Sequence, residues 1–165
     1  MVIPQRPDTP TEALVPTEQR FNVLIADDDR GTREALGDLL RAKGFNVVQA
    51  ADGGEAVELV QVNLVHLVLF DMHMPRLTGL EALNVLRQTL HKVLPAVLMT
   101  ADATTELMRQ AFLAQVFSVI PKPVNKNIVL HTLTQALARV YGKPPDPAAP
   151  PQDPTANVTP NPESK

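Results

Sequence analysis

Four short apolar runs in this chain each stop at a polar residue, and in order those residues are Asp, Asp, Thr and Lys. Val23-Leu24-Ile25-Ala26 runs into Asp27-Asp28-Asp29, and Leu67-Val68-Leu69-Phe70 into Asp71. Val97-Leu98-Met99 ends at Thr100, and Val119-Ile120-Pro121 at Lys122. Continuously apolar runs of this length suit strands that are covered on both faces. If the four are parallel strands of one sheet, their polar ends lie along one edge, where open α/β sheets carry ligand sites. Such an edge would gather carboxylates able to take a divalent cation, with a hydroxyl and an ammonium beside them.

The segments between the runs have helical period. Strands are expected at Asn22–Ala26, Asn46–Ala50, Val65–Phe70, Ala96–Met99 and Phe117–Ile120. Thr32 to Lys43 carries Ala35, Leu36, Leu39 and Leu40 on one stripe, with Gly44 as a C-terminal stop. Gly54 to Gln61 places Ala56, Val57 and Val60 at helical spacing, and Leu80, Leu83 and Leu86 define a third helix with Thr78 as N-cap. A fourth helix is expected from Thr104 to about Gln115, and a fifth from Lys126 to Val140. Five strands alternating with five helices specify an α/β fold with a parallel sheet and right-handed crossovers. Periodicity leaves the strand order open.

Not all 165 residues read as foldable. Residues 1–19 hold four prolines and residues 142–165 hold eight, with little apolar periodicity in either, so both are expected to be disordered, Pro-rich tails. Residues 20–141 form a segment of ordinary domain length. That segment carries 12 Lys+Arg against 12 Asp+Glu, so the net charge of −3 resides outside it. With no basic stripe, direct binding of nucleic acid is not expected. Cysteine is absent, which excludes disulfides, thiolate nucleophiles and Cys-based zinc sites. The N-terminus lacks a signal-peptide core and no run approaches a membrane span, so a cytoplasmic protein with no membrane partner is expected.

Asp27, Asp28, Asp29 and Asp71 would repel one another if charged and unpaired on one edge. A hard cation such as Mg²⁺ relieves that repulsion; capping of the following helix is the other reading of an Asp after a strand. Thr100 in turn suits either a site hydroxyl or a helix cap, and Lys122 either a site cation or a solvated side chain. Lys122 sits between Pro121 and Pro123, and because X-Pro bonds in tight turns are where cis peptides occur, a cis Lys122–Pro123 bond is expected. His66, His91 and His131 have no second ligand at metal spacing and suit structural or solvated roles.

The combination Asp27-Asp28, Asp71-Met72-His73-Met74-Pro75 with Thr78-Gly79, Thr100-Ala101 and Lys122-Pro123 resembles the receiver domain of two-component response regulators. The intervals are similar too: 43 residues from Asp28 to Asp71, 29 on to Thr100 and 22 on to Lys122. The resemblance covers about residues 21–141. It implies a flavodoxin-like (βα)5 doubly wound sheet with strand order 2-1-3-4-5. It implies Asp71 as phosphoacceptor, taking a phosphoryl group from a sensor histidine kinase, a histidine phosphotransfer protein or a small phosphodonor. Mg²⁺ would be held by Asp28, Asp71 and the backbone carbonyl of His73, with Asp27 acting through a water. Lys122 would pair with a phosphoryl oxygen, and Thr100 would turn to another once Asp71 is modified. Asp29 receives no direct role. His73 and Asp102, each two residues beyond a site residue, would look out over the phosphoryl group and either tune its hydrolysis or be merely exposed.

The resemblance also implies output by protein–protein contact through the face formed by helix 4, strand 5 and helix 5, to a downstream effector or within a phosphorylation-dependent dimer. Receiver domains usually carry Tyr or Phe three residues before the site Lys. Here Val119 stands there; Phe117, two residues earlier on what would be the same strand face, could replace the ring at most in part, which implies a weaker or differently routed output. Nothing after Tyr141 reads as an effector domain, which suggests either a phosphoacceptor acting alone or a fragment of a larger regulator. An aspartate-nucleophile phosphatase is the alternative enzyme reading. That chemistry wants a second Asp two residues after the nucleophile, where this chain has His73.

Overall fold

The structure is a computed structural model that describes residues 20–142; the two Pro-rich tails expected from the sequence lie outside the described residues, save Gly142. Strands and helices alternate: β1 (Asn22–Ala26), α1 (Arg30–Ala42), β2 (Asn46–Ala50), α2 (Gly53–Val62), β3 (Leu67–Asp71), α3 (Gly79–Thr89), β4 (Ala96–Thr100), α4 (Thr105–Leu113), β5 (Ser118–Pro121) and α5 (Lys126–Tyr141). All strand pairs are parallel, and the sheet order is β2-β1-β3-β4-β5, the flavodoxin-like arrangement. The order reverses between β1 and β3, so the loops after those two strands diverge to opposite faces and leave a crevice at their ends.

Side-chain alternation divides the core in two. Leu24, Val68, Phe70, Ala96 and Leu98 point to one face and meet Ala56 and Val60 of α2, Leu83 and Leu86 of α3, and Leu107 and Ala111 of α4. Val23, Ile25, Leu67, Leu69, Val97 and Met99 point to the other, against Leu36 and Leu40 of α1 and Val129, Leu133 and Leu137 of α5. The three central strands are buried along nearly their whole length, which is why their sequences read as unbroken apolar runs.

Helix ends follow local chemistry. Asp29 caps α1 by accepting from Gly31 N–H and the Thr32 hydroxyl, so the helix starts two residues before the expected Thr32. Thr78 and Glu81 form a reciprocal capping box on α3. Gly44, with φ of +91°, ends the first helical segment as expected.

Two expectations need correction. β3 begins at Leu67 rather than Val65, because residue 66 is tied to the start of β1 through its side chain as well as its backbone: Asn22 N–H donates to His66 Nδ1 at 2.8 Å. β5 begins at Ser118 rather than Phe117, and Phe117 packs with the α1/α5 side of the core while Val119 packs with the α2/α3/α4 side. The chain bends before the strand starts, so alternation does not carry back to Phe117 and the ring cannot stand in for an aromatic at Val119.

Candidate functional site

At the C-terminal ends of β1 and β3 the side chains of Asp27 and Asp71 are both buried, at 0% and 4% exposure, while Asp28 stands exposed at the mouth. Each of the three offers a carboxylate oxygen, and these oxygens lie within 4.8 Å of one another. An all-oxygen, multiply anionic set of this size fits a hard divalent cation.

Lys122 supplies the counter-charge. Its Nζ donates to Asp27 Oδ2 at 3.0 Å and lies 3.2 Å from Asp71 Oδ2. The other Asp27 oxygen accepts from Asp29 N–H at 2.9 Å, and the Asp27 carbonyl accepts from the Arg33 guanidinium at 2.6 Å. Both Asp27 carboxylate oxygens are thus held at 3.0 Å or less, whereas Asp71 accepts from Lys122 at 3.2 Å and, more distantly, from His73 N–H at 3.4 Å. The less constrained of the two buried carboxylates is the one on the central strand.

Burial, and then the neighbouring Asp27 charge, push the Asp71 carboxyl above its usual range, with Lys122 opposing. For Lys122, burial works against the ammonium form, but the hydrogen bond and charge of Asp27, followed by Asp71, prevail and raise its pKa. The cluster is therefore two buried acids sharing one cation, with net negative charge left for a further cation to balance.

Thr100 ends β4, and its carbonyl accepts from Lys122 N–H at 2.7 Å, which locks the loop after β4 to the loop after β5. The Thr100 hydroxyl is turned to the backbone of Asp102, at 3.2 Å from both its N–H and its carbonyl oxygen. The peptide bond between Lys122 and Pro123 is cis, as expected. A cleft of about 240 Å³ opens beside Lys122, lined by Thr32, Ala35, Leu36, Pro123, Val124 and Lys126.

The loop between β3 and α3 is spanned by Gly79 N–H to Met72 carbonyl at 3.0 Å, and Met72 N–H bonds Met99 carbonyl at 2.8 Å. A side chain at Gly79 would bring its Cβ to 2.7 Å from the Asp71 carbonyl oxygen, so only glycine lets α3 start this close to the acidic strand end.

Every site residue expected from the sequence stands at this edge of the sheet. Asp29, left without a direct role there, is the helix cap. Two contributors were missed. Arg33 carries no motif, and its only sequence signal is its place one turn beyond the Asp29 cap, from which it reaches back to Asp27. Arg76, in the β3–α3 loop, pairs with Asp52 at 2.7 Å, a contact between two loops that sequence spacing does not reveal.

Comparison with known proteins identifies the family and agrees with the fold. The family model for the response regulator receiver domain matches residues 23–134. The transcriptional regulatory protein PdtaR of Mycobacterium tuberculosis is 32% identical over 134 residues, covering 81% of this chain and 62% of that protein. A cyclic di-GMP phosphodiesterase of Thermotoga maritima is 36% identical over 117 residues, covering 71% of this chain but 31% of its own length. The chain thus spans under two thirds of these relatives. Among solved structures, the chemotaxis protein CheY4 of Vibrio cholerae superposes with a TM-score of 0.67 at 28% identity, over 71% of this chain and 98% of that one.

Proposed function

This chain belongs to the response regulator receiver domain family of two-component signalling, and on that premise we propose that it is a phosphoacceptor switch in which Asp71 takes a phosphoryl group from a phosphohistidine. The observation that carries this reading is the single ammonium of Lys122 shared between the buried Asp27 and Asp71 carboxylates.

Asp71 supplies an oxygen nucleophile at the C-terminal end of the central strand. Asp28 and Asp71, with the His73 carbonyl, would hold Mg²⁺, and Asp27 would bear on it through a water; when bound, the ion neutralises charge on the transferring phosphoryl group. In the transfer, an Asp71 oxygen forms a bond to phosphorus as the bond to the donor's imidazole nitrogen breaks, and the donor histidine keeps the electron pair. Lys122 is placed to follow the added charge, since its Nζ already lies 3.2 Å from Asp71 Oδ2. The acyl phosphate carries nearly two negative charges, which gives Lys122 and the Thr100 hydroxyl a stronger acceptor than the one each has now. A turn of the Thr100 hydroxyl toward the phosphoryl group would release its hydrogen bonds to the Asp102 backbone and so free the loop that leads into α4.

The output would be contact with a downstream effector protein through α4, β5 and α5. Support for a protein-contact face there comes from α4, where Met108 and Phe112 are 45% and 81% exposed. The donor would be a sensor histidine kinase or a histidine phosphotransfer protein, and the setting the cytoplasm; among the described residues no helix is long and apolar enough to cross a membrane. His73 and Asp102 would tune hydrolysis of the acyl phosphate.

Incubation with Mg²⁺ and a small phosphodonor, followed by intact-mass measurement, tests the reading. One added phosphoryl group, absent in Asp71→Asn and in the presence of a chelator, is the expected result. Sustained turnover of the donor without accumulation of labelled protein would instead support an aspartate-nucleophile phosphatase.

A further inference from the structure

Arg76 is one of two non-glycine residues with positive φ among the described residues, at +68°. The hydrogen bond from Leu77 N–H to the Pro75 carbonyl, at 2.9 Å, closes a three-residue turn with Arg76 at its centre. A γ-turn with a positive central φ is rare and strained, and a long side chain is an unusual choice for it. Such a conformation persists only where its surroundings hold it.

Arg76 Nε and Nη2 both donate to Asp52 Oδ1, at 3.0 and 2.7 Å, and Asp52 is itself fixed as the N-cap of α2 by Glu55 N–H at 2.8 Å. Those same contacts, the Glu55 N–H first and then Arg76, hold the Asp52 carboxyl below its usual range. The guanidinium lies over Gly54, where a Cβ would stand 2.7 Å from its central carbon, and Leu77 lies against Gly53 in the same manner. Two glycines on α2 thus make room for two consecutive residues of the β3–α3 loop.

We infer that Arg76 is a positioning residue: its pairing with Asp52 clasps the β3–α3 loop to the start of α2 and so sets the loop's His73 carbonyl against the acidic pocket. This deepens the phosphoacceptor reading and rests on it. The loop is fastened at Met72 by backbone hydrogen bonds and at Met74 by burial in the core, His73 N–H bonds only distantly to Asp71 Oδ1 at 3.4 Å, and the clasp fixes the far side of the same stretch at Arg76. Partners of this outlying kind govern how well a ligand is presented to a metal.

The test uses the full chain, metal-free, titrated with Mg²⁺ by calorimetry, with labelling of Asp71 by a small phosphodonor followed at rising Mg²⁺. In Arg76→Ala the Mg²⁺ concentration for half-saturation should rise about tenfold, with the extent of labelling at saturating Mg²⁺ unchanged. The sign decides the matter. Deleting a cation near an acidic pocket would, by charge alone, tighten Mg²⁺ binding, so tighter or unchanged binding in Arg76→Ala overturns the clasp. Gly54→Ala provides a second route, displacing the guanidinium without altering charge; it should weaken Mg²⁺ binding in the same direction, and wild-type affinity there also overturns the clasp. Wild-type protein that neither binds Mg²⁺ nor labels would instead overturn the phosphoacceptor reading itself.

Discussion

Lys122 and Asp27 are joined by a 3.0 Å ion pair across 95 residues of chain, and Asp27 is wholly shielded from solvent. A buried carboxylate depends on such a partner, because an ionised group without one bears the full penalty of desolvation.

Lys122→Met therefore removes the shared cation and leaves Asp27 and Asp71 facing each other. The expected loss of stability at neutral pH is about 1–3 kcal/mol, read from denaturant midpoints. The loss should shrink when Mg²⁺ is added, since a bound cation replaces the missing charge, and should shrink again in acid as the carboxylates protonate. A loss that is independent of both Mg²⁺ and pH would mean that Lys122 acts through packing of its stem rather than its charge.

Asp71→Asn should have the opposite sign. The Asp71 carboxyl is raised above its ordinary range by burial and by Asp27, so the folded state binds its proton more tightly than the unfolded chain does. Its ionisation therefore weakens the fold once the pH passes the raised folded value, and has no such effect below the unfolded value. At neutral pH, Asp71→Asn should raise the melting temperature; a relief of about 1 kcal/mol corresponds to ~4 °C for a domain of about 120 residues. The advantage should fade as pH falls through the raised range, and vanish below the ordinary Asp range. It should also fade in Mg²⁺, which stabilises only the wild type.

The parts of this fold legible in the sequence are those set by burial along a strand. β1 has the bounds that periodicity assigns, because its apolar run stops where the strand stops. That Asp27, Asp71, Thr100 and Lys122 share one edge follows from parallel strands alone, since a parallel sheet brings all strand ends of one kind to one edge. What escaped depends on contacts between distant loops. Arg76 and Asp52 are 24 residues apart, and nothing in either neighbourhood announces the other. Phe117 shows a different limit: alternation predicts a face only while the backbone stays extended, and the bend before Ser118 moves its ring to the opposite layer. Arg33 reaches the site from a helix whose true start lies two residues ahead of the expected one, so its direction could not be read until the Asp29 cap was seen.

At the opposite end of the sheet, His66 is placed to make the fold sensitive to mild acid. Its Nδ1 accepts from Asn22 N–H at 2.8 Å, which requires the unprotonated nitrogen, and its ring meets Phe21 and Tyr141 edge-on at 5.3 and 5.4 Å. The Tyr141 hydroxyl donates to the His66 carbonyl at 2.8 Å, so the end of α5 is fastened at the same residue. Burial, and then the charge of Lys92, lower the His66 pKa from its ordinary value. The folded state thus takes up a proton less readily than the unfolded chain, and stability rises with pH wherever the unfolded chain holds the extra proton. The stabilisation is complete above the ordinary histidine pKa of ~6.5. It is lost as pH falls from there toward the lowered folded value, and the loss levels off below that. Protonation breaks the Asn22 bond, a contribution of about 0.5–1.5 kcal/mol. In His66→Asn, an oxygen that never protonates in this range stands near the place of Nδ1, and the ring contacts are gone. That variant should start less stable at neutral pH yet lose little more on acidification, whereas the wild type declines across the window; parallel curves for the two would show that acid sensitivity in this range arises elsewhere in the molecule.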